Sequence, residues 1–202
     1  MSVVDLRTQR YATPTPATAT RVRRHLDELH EQLAMLDAAV PTLARWASVL
    51  RRTWAAGGRL LVGGNGGSAS LAEHLTAELV GRYQDEHEPW SAISLAGDTA
   101  ALTAIANDYG YDEVFARQVR AHGRAGDVLL LMSTSGRSPN LLSAARAARA
   151  ERLRTWALVG HGTSPLTALA DDVVGLGCSG PVVQELQQVA VHLLCELVED
   201  AT

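Results

Sequence analysis

The sequence predicts an α/β fold, a doubly wound, mostly parallel five-stranded sheet preceded by N-terminal helices. Three observations carry this. From Arg59 onward, short apolar runs alternate with segments of helical periodicity, and parallel strands need such crossovers. The apolar runs are continuous, as in strands buried on both faces. Two small-residue loops, Gly63-Gly64-Asn65-Gly66-Gly67-Ser68 and Ser133-Thr134-Ser135-Gly136-Arg137-Ser138, stand where an apolar run passes into a helical pattern. Ligands in open parallel sheets bind at the carboxyl ends of the strands.

The elements follow in order. Residues 1–20 read as a flexible tail, with a Thr/Pro/Ala run from Ala12 to Thr20 and no apolar core of the kind an export signal needs. Arg21 to Leu36 carries Val22, Leu26, Leu29, Leu33 and Leu36 at helical spacing, and Leu43, Trp46, Leu50 and Trp54 repeat it after Pro41. Proline breaks a helix interior, so the joint between these helices falls there. Strands are expected at Leu60–Val62, Ala92–Leu95, Val128–Met132, Trp156–Val159 and Val173–Val174. Helices are expected at Ser68–Val80, Thr99–Ala106, Asp112–His122, Ser138–Ala150, Ser164–Ala170 and Val182–Val198. The whole of 21–202 forms one domain, since 202 residues with 47% hydrophobic content suffice for one full core and hardly for two.

Composition excludes several chemistries. The net charge is -4, with both signs evenly scattered, which gives no basic face of the kind that follows a nucleic-acid backbone. No apolar stretch is long enough to suggest a bilayer crossing. The two cysteines, Cys178 and Cys195, have no zinc-ribbon or C-x-x-C spacing and read as buried filler in a reducing compartment, so the cytoplasm is expected. All 18 basic residues are arginine. Without lysine the chain cannot form a side-chain Schiff base, hold pyridoxal phosphate or build a Walker-type phosphate loop.

The two loops suit a phosphate. Backbone N–H groups at a helix start lack partners and carry the positive end of the helix dipole, glycines admit a close anion, and serines donate hydroxyls. Ser138 before Pro139 also reads as an ordinary helix cap, but four hydroxyl residues in six positions offer more donors than a cap uses. Gly64 to Ala69 fits the dinucleotide fingerprint G-x-G-x-x-A. The acidic residue that should follow at the end of the next strand is missing: Asp85 and Glu86 come too early and Asp98 late. Two polar pairs stand behind the loops. His74 and Glu78 lie one helical turn apart, a spacing that fits either a solvated pair or a shared metal ion, and Gln184 and His192 share another predicted helix less tightly.

At these residues the chain resembles the sugar isomerase (SIS) family, and within it the aldose-ketose isomerases that act on sedoheptulose 7-phosphate. GGNGGSASLAEHLTAELVGRY, STSGRS and QELQQVAVH carry the likeness. The resemblance implies a flavodoxin-like sheet, a zinc ion held by His74, Glu78, Gln184 and His192, and Glu78 and His192 as the catalytic acid-base residues. It also implies a phosphate held by Ser68, Ser133, Thr134, Ser135 and Ser138. Asn65, Gly66, Gly67, Arg82, Asp98, Asn107, Asp108 and Gln184, with Glu78, would contact the rest of the sugar phosphate. A homotetramer with the N-terminal helices between subunits is implied as well, with no nucleic-acid or membrane partner. The chain departs from the family at Val182-Val183, where arginine-isoleucine is usual, at Gln187 and at Arg137. A non-enzymatic branch of the same family binds the bacterial replication initiator, but it lacks the carboxylate and the histidine that match Glu78 and His192. Burying two such groups without a task costs stability, so the isomerase is the reading taken here.

Overall fold

The five apolar runs form β1 (Leu60–Gly64), β2 (Ala92–Ser94), β3 (Val128–Ser133), β4 (Arg154–Val159) and β5 (Asp172–Gly175). The computed structural model that shows this describes residues 15–177 and 180–200. The strands pair in the order β2-β1-β3-β4-β5, every pair parallel. This flavodoxin-like order reverses direction between β1 and β3. That point separates the two small-residue loops.

Successive strand residues face opposite sides, so each strand feeds two cores. Leu60, Val62, Leu130, Met132, Trp156 and Leu158 pack with α2 (Val40–Ala55), α3 (Gly67–Val80) and α7 (Pro181–Glu199). Leu61, Leu129, Leu131, Ala157 and Val159 pack with α5 (Val114–His122) and α6 (Pro139–Ala150), and α4 (Thr99–Tyr109) adds Leu102 and Ile105 at the margin. The helical stripe of α2 delivers Leu43, Trp46, Ala47 and Leu50 to the first core, where Trp46 stacks on Trp156 at 4.7 Å. Truncating a fully buried leucine such as Leu50 costs about 2–5 kcal/mol. By length and composition alone the helical run Pro16–Ala55 could cross a bilayer. Its apolar α2 face is instead spent on this core.

Three expectations are corrected. Helix α1 (Pro16–Leu33) begins inside the predicted tail: Thr15 caps it, its hydroxyl accepting from Thr18 N (3.2 Å), and Pro16 takes the first turn, where a missing N–H costs nothing. A 3-10 segment, Ala34–Ala39, then replaces the last predicted turn. Residues Ser164–Ala170 form turns rather than a helix. Ser164 N donates to Thr167 Oγ1 (2.9 Å) and Thr167 N to Ser164 Oγ (3.3 Å), the reciprocal pair that starts a helix, and Ala168 N donates to Ser164 O (3.2 Å), but Leu169 N falls back to Leu166 O (3.0 Å) and the turn does not continue. Leu166 is still fully buried there.

Helix α1 buries none of its residues, and Val22 and Leu26 are each 54% exposed. It meets the body through Leu29, which packs against the first core, and through His25 Nε2 to Glu185 Oε1 at 2.8 Å.

Candidate active site

Both loops leave the carboxyl ends of neighbouring strands, β1 and β3, at the point where the strand order reverses. The first turns at once into α3. Gly64 must be glycine, because a Cβ there would fall 2.6 Å from Ser68 O. The second loop turns at Gly136, which has φ +62° and faces Ser164 too closely for any side chain. Ser133 Oγ accepts from Gly136 N (3.0 Å) and Ser135 Oγ from Arg137 N (3.3 Å), so the loop is shaped by its own hydroxyls. Ser138 caps α6 without a side-chain bond to the helix, which leaves its hydroxyl to a ligand. Thr134 is half-buried beside it.

A reciprocal amide pair ties the loops together. Asn65 Nδ2 donates to Asn140 Oδ1 (2.9 Å), and Asn140 Nδ2 donates back to Asn65 Oδ1 (2.8 Å). Asn140 Oδ1 also accepts from Leu141 N (2.9 Å), and Tyr111 Oη donates to Asn65 Oδ1 (3.1 Å). The Asn65 side chain is therefore committed to the scaffold. Ser68 is likewise buried: its Oγ donates to Gln187 Oε1 (2.9 Å), and Gln187 Nε2 donates to Leu158 O (3.0 Å). The family departure at Gln187 thus serves a relay between α3, α7 and β4.

Beside the loops, α3 and α7 bring three predicted residues together. His74 and His192 approach Nε2 to Nε2 at 2.9 Å, so one nitrogen donates and the other accepts. Glu78 Oε1 lies 3.6 Å from His74 Nε2. Gln188, one turn before His192, reaches its Nε2 at 2.8 Å, and the Tyr83 ring lies 5.3 Å from that of His192. Gln184 stands over the first loop, where a Cβ on Gly67 would meet its amide oxygen at 2.5 Å. Cys195 is buried on the same helix. Burial first, and then the charges of Glu78 and Glu199, push its thiol up to about 12.

Other predicted contacts lie outside this cluster. Arg82 is exposed and donates to Gln84 O (3.4 Å). Asp98 caps α4, accepting from Ala101 N (2.9 Å). Asn107 donates to Asp108 (2.8 Å) on the exposed last turn of that helix. Asn140, Gln188 and Tyr83 join the site without being named in the sequence reading. Only Gln188 had a legible signal, its i, i+4 spacing to His192. Cys178 lies outside the described residues.

Two imidazole nitrogens and a carboxylate are a donor set that zinc favours. Nitrogens that face each other across 2.9 Å can share a proton or accept a cation between them. Among the described residues, no three His, Cys, Asp or Glu side chains yet stand as a group that could hold a metal ion. The donors thus fit zinc in kind, and binding it requires the pair to open.

Residues 22–160 match the SIS domain family. The chain is 56% identical over 178 residues to a phosphoheptose isomerase of Streptomyces coelicolor, covering 88% of this chain and 77% of that one. It is 44% identical over 167 residues to a phosphoheptose isomerase of Rhodospirillum rubrum, covering 82% and 89%. Its fold is similar to the structure of a phosphoheptose isomerase from Francisella tularensis, with a TM-score of 0.85 at 32% identity and coverage of 90% and 98%. A phosphoheptose isomerase from Neisseria gonorrhoeae superposes with a TM-score of 0.81 at 34% identity, covering 91% and 99%.

Proposed function

Since the chain belongs to the SIS domain family, with phosphoheptose isomerases matching it over most of its length, we propose that it converts sedoheptulose 7-phosphate to D-glycero-D-manno-heptose 7-phosphate. The single observation that supports this in the molecule is the meeting of His74, Glu78 and His192 from two helices beside two phosphate-type loops. It is a sugar-phosphate isomerase.

The reaction moves one proton from C1 to C2 and one hydroxyl proton from O1 to O2 through a cis-enediolate, with no net redox change. The loops after β1 and β3 hold the phosphate with the Thr134, Ser135 and Ser138 hydroxyls, at the positive ends of the α3 and α6 dipoles. Anchoring that far end orients the reacting carbons. Glu78 takes the carbon-bound proton and returns it, and His192 carries the hydroxyl proton. His74 and Gln188 hold the His192 ring at its Nε2 edge. His74, Glu78, Gln184 and His192 would hold zinc, which would supply Lewis-acid polarisation of the carbonyl.

The protein assembles as a homotetramer in the cytoplasm. The apolar stripe of α1 supports the assembly, because Val22, Leu26 and Leu33 stay exposed in a single chain while only Leu29 packs against the core.

The test is incubation of the purified protein with sedoheptulose 7-phosphate, with the product resolved by NMR. Replacing Glu78 by Gln keeps its shape and should lower turnover by about 10²–10⁴-fold, the share that acid-base catalysis supplies. Solvent deuterium incorporation should fall in parallel. Wild-type protein that forms no heptose phosphate would overturn the reading.

A further inference from the structure

The segment between α3 and β2, residues 81–91, has no helix or strand of its own, yet one buried group gathers it. Glu199, the last residue of α7, is only 7% exposed. Its Oε1 accepts from Tyr83 N (3.1 Å) and Gln84 N (3.2 Å), and its Oε2 accepts from Gln84 N (3.2 Å) and Asp85 N (3.2 Å). Three successive amides converge on one carboxylate, in charge-assisted bonds stronger than those between neutral groups. His87 flanks them. Its Nδ1 donates to Glu88 O (2.8 Å), its ring stacks on Trp90 at 3.7 Å, and its Nε2 lies 3.6 Å from Glu199 Oε1.

The spacing along α7 connects this clasp to the chemistry. Gln188, His192, Cys195 and Glu199 fall at i, i+4, i+7 and i+11, which is one helical stripe. Gln188, His192 and Glu199 bond from it to α3 or the segment after it, or to each other. The clasp sets Tyr83 where its ring lies 5.3 Å from that of His192, inclined by 43°. His74 and Gln188 hold the imidazole at its Nε2, and Tyr83 stands against the ring. Apolar contacts could tether a loop to a helix end without the desolvation that a buried carboxylate suffers. A carboxylate does what they do not: it fixes the backbone of three consecutive residues, and so the direction of the side chain they carry.

We propose that Glu199 is a positioning residue for the isomerisation, holding Tyr83 against His192 so that the imidazole stays aimed at the reacting sugar. The role rests on the isomerase reading above.

The test is Glu199→Gln, which keeps size but turns an N–H donor toward the backbone amides. In the full-length protein, hydrogen exchange at Tyr83, Gln84 and Asp85 should quicken, and the His192 imidazole NMR signal should shift. The kcat should fall about tenfold, the scale of a small misplacement. Inhibition by inorganic phosphate should be unchanged, because the loops after β1 and β3 are untouched. Tyr83→Ala should reproduce the kcat and imidazole changes with Glu199 in place, Tyr83→Phe should recover most of the loss, and this pair decides the matter if Glu199→Gln does not fold. Faster exchange with an unmoved His192 signal and unchanged kcat would overturn the proposal, as would phosphate inhibition that weakens in step with kcat. Wild-type protein without turnover would refute the isomerase reading alone, and the His192 signal would still decide whether Glu199 positions the ring.

Discussion

Replacing Asn140 by Ala should loosen both phosphate loops at once. Asn140 is 1% exposed and makes two amide bonds to Asn65 while accepting from Leu141 N. Each of the two lost amide bonds removes about 0.5–1.5 kcal/mol, while Leu141 N keeps Ser138 O as an acceptor (3.1 Å). Asn65 Oδ1 keeps Tyr111 as a donor, which spares part of the penalty. The sum is a destabilisation of about 1–3 kcal/mol, measurable as a lower midpoint in urea at unchanged slope. KM for the sugar phosphate should rise as the loop after β1 loses its tie to the loop after β3. Asn140→Asp separates the two effects. It still accepts from Asn65 Nδ2 and Leu141 N, so it should lose less stability, but it brings a negative charge to the loops and should raise KM further. A stability loss below about 0.5 kcal/mol for Asn140→Ala, together with an unchanged KM, would refute the view that this amide pair joins the loops.

Three further outcomes follow from the same geometry. Chelation should lower turnover and added zinc should restore it, with metal analysis reporting one ion per chain; full turnover in verified metal-free protein would remove zinc from the mechanism. Replacing Val22 and Leu26 together by Glu should convert the proposed tetramer to smaller species by light scattering without loss of helical circular dichroism, whereas a wild-type monomer would refute the assembly. Cys195 holds its proton in the folded chain up to about pH 12 against an ordinary value of 9.0. Its contribution to stability is therefore full below pH 9 and is lost as pH rises toward 12, because the unfolded chain ionises first. Alkylation of native protein at pH 9 should leave Cys195 unmodified by peptide mass mapping, and labelling at the rate of a free thiol would contradict its burial.

Much of the fold was legible because its signals are local. The central strands β1, β3 and β4 announce themselves as apolar runs, since a parallel strand buried on both faces needs apolar residues at most positions, while the edge strands β2 and β5 are mostly half-buried. Pro41 sits in the first turn of α2, where a proline costs little, so the joint was readable too. Ser164–Ala170 misled because its helical spacing and its reciprocal Ser164–Thr167 cap are real, while the chain turns out of the helix after one turn, where Leu169 N falls back to Leu166 O (3.0 Å).

By itself, the sequence determined the layers, the two loops and the residue types able to move a proton: His74 and Glu78 share a helix face by spacing, and lysine chemistry is excluded by composition. Tertiary structure alone decided which of these meet. His74 and His192 are 118 residues apart in the chain and 2.9 Å apart in space, because α3 and α7 pack on the same side of the sheet. It likewise committed Asn65 and Ser68 to Asn140 and Gln187. A polar side chain has the same donors and acceptors wherever it stands, and only burial beside a particular partner decides whether they are spent on the scaffold or left for a ligand.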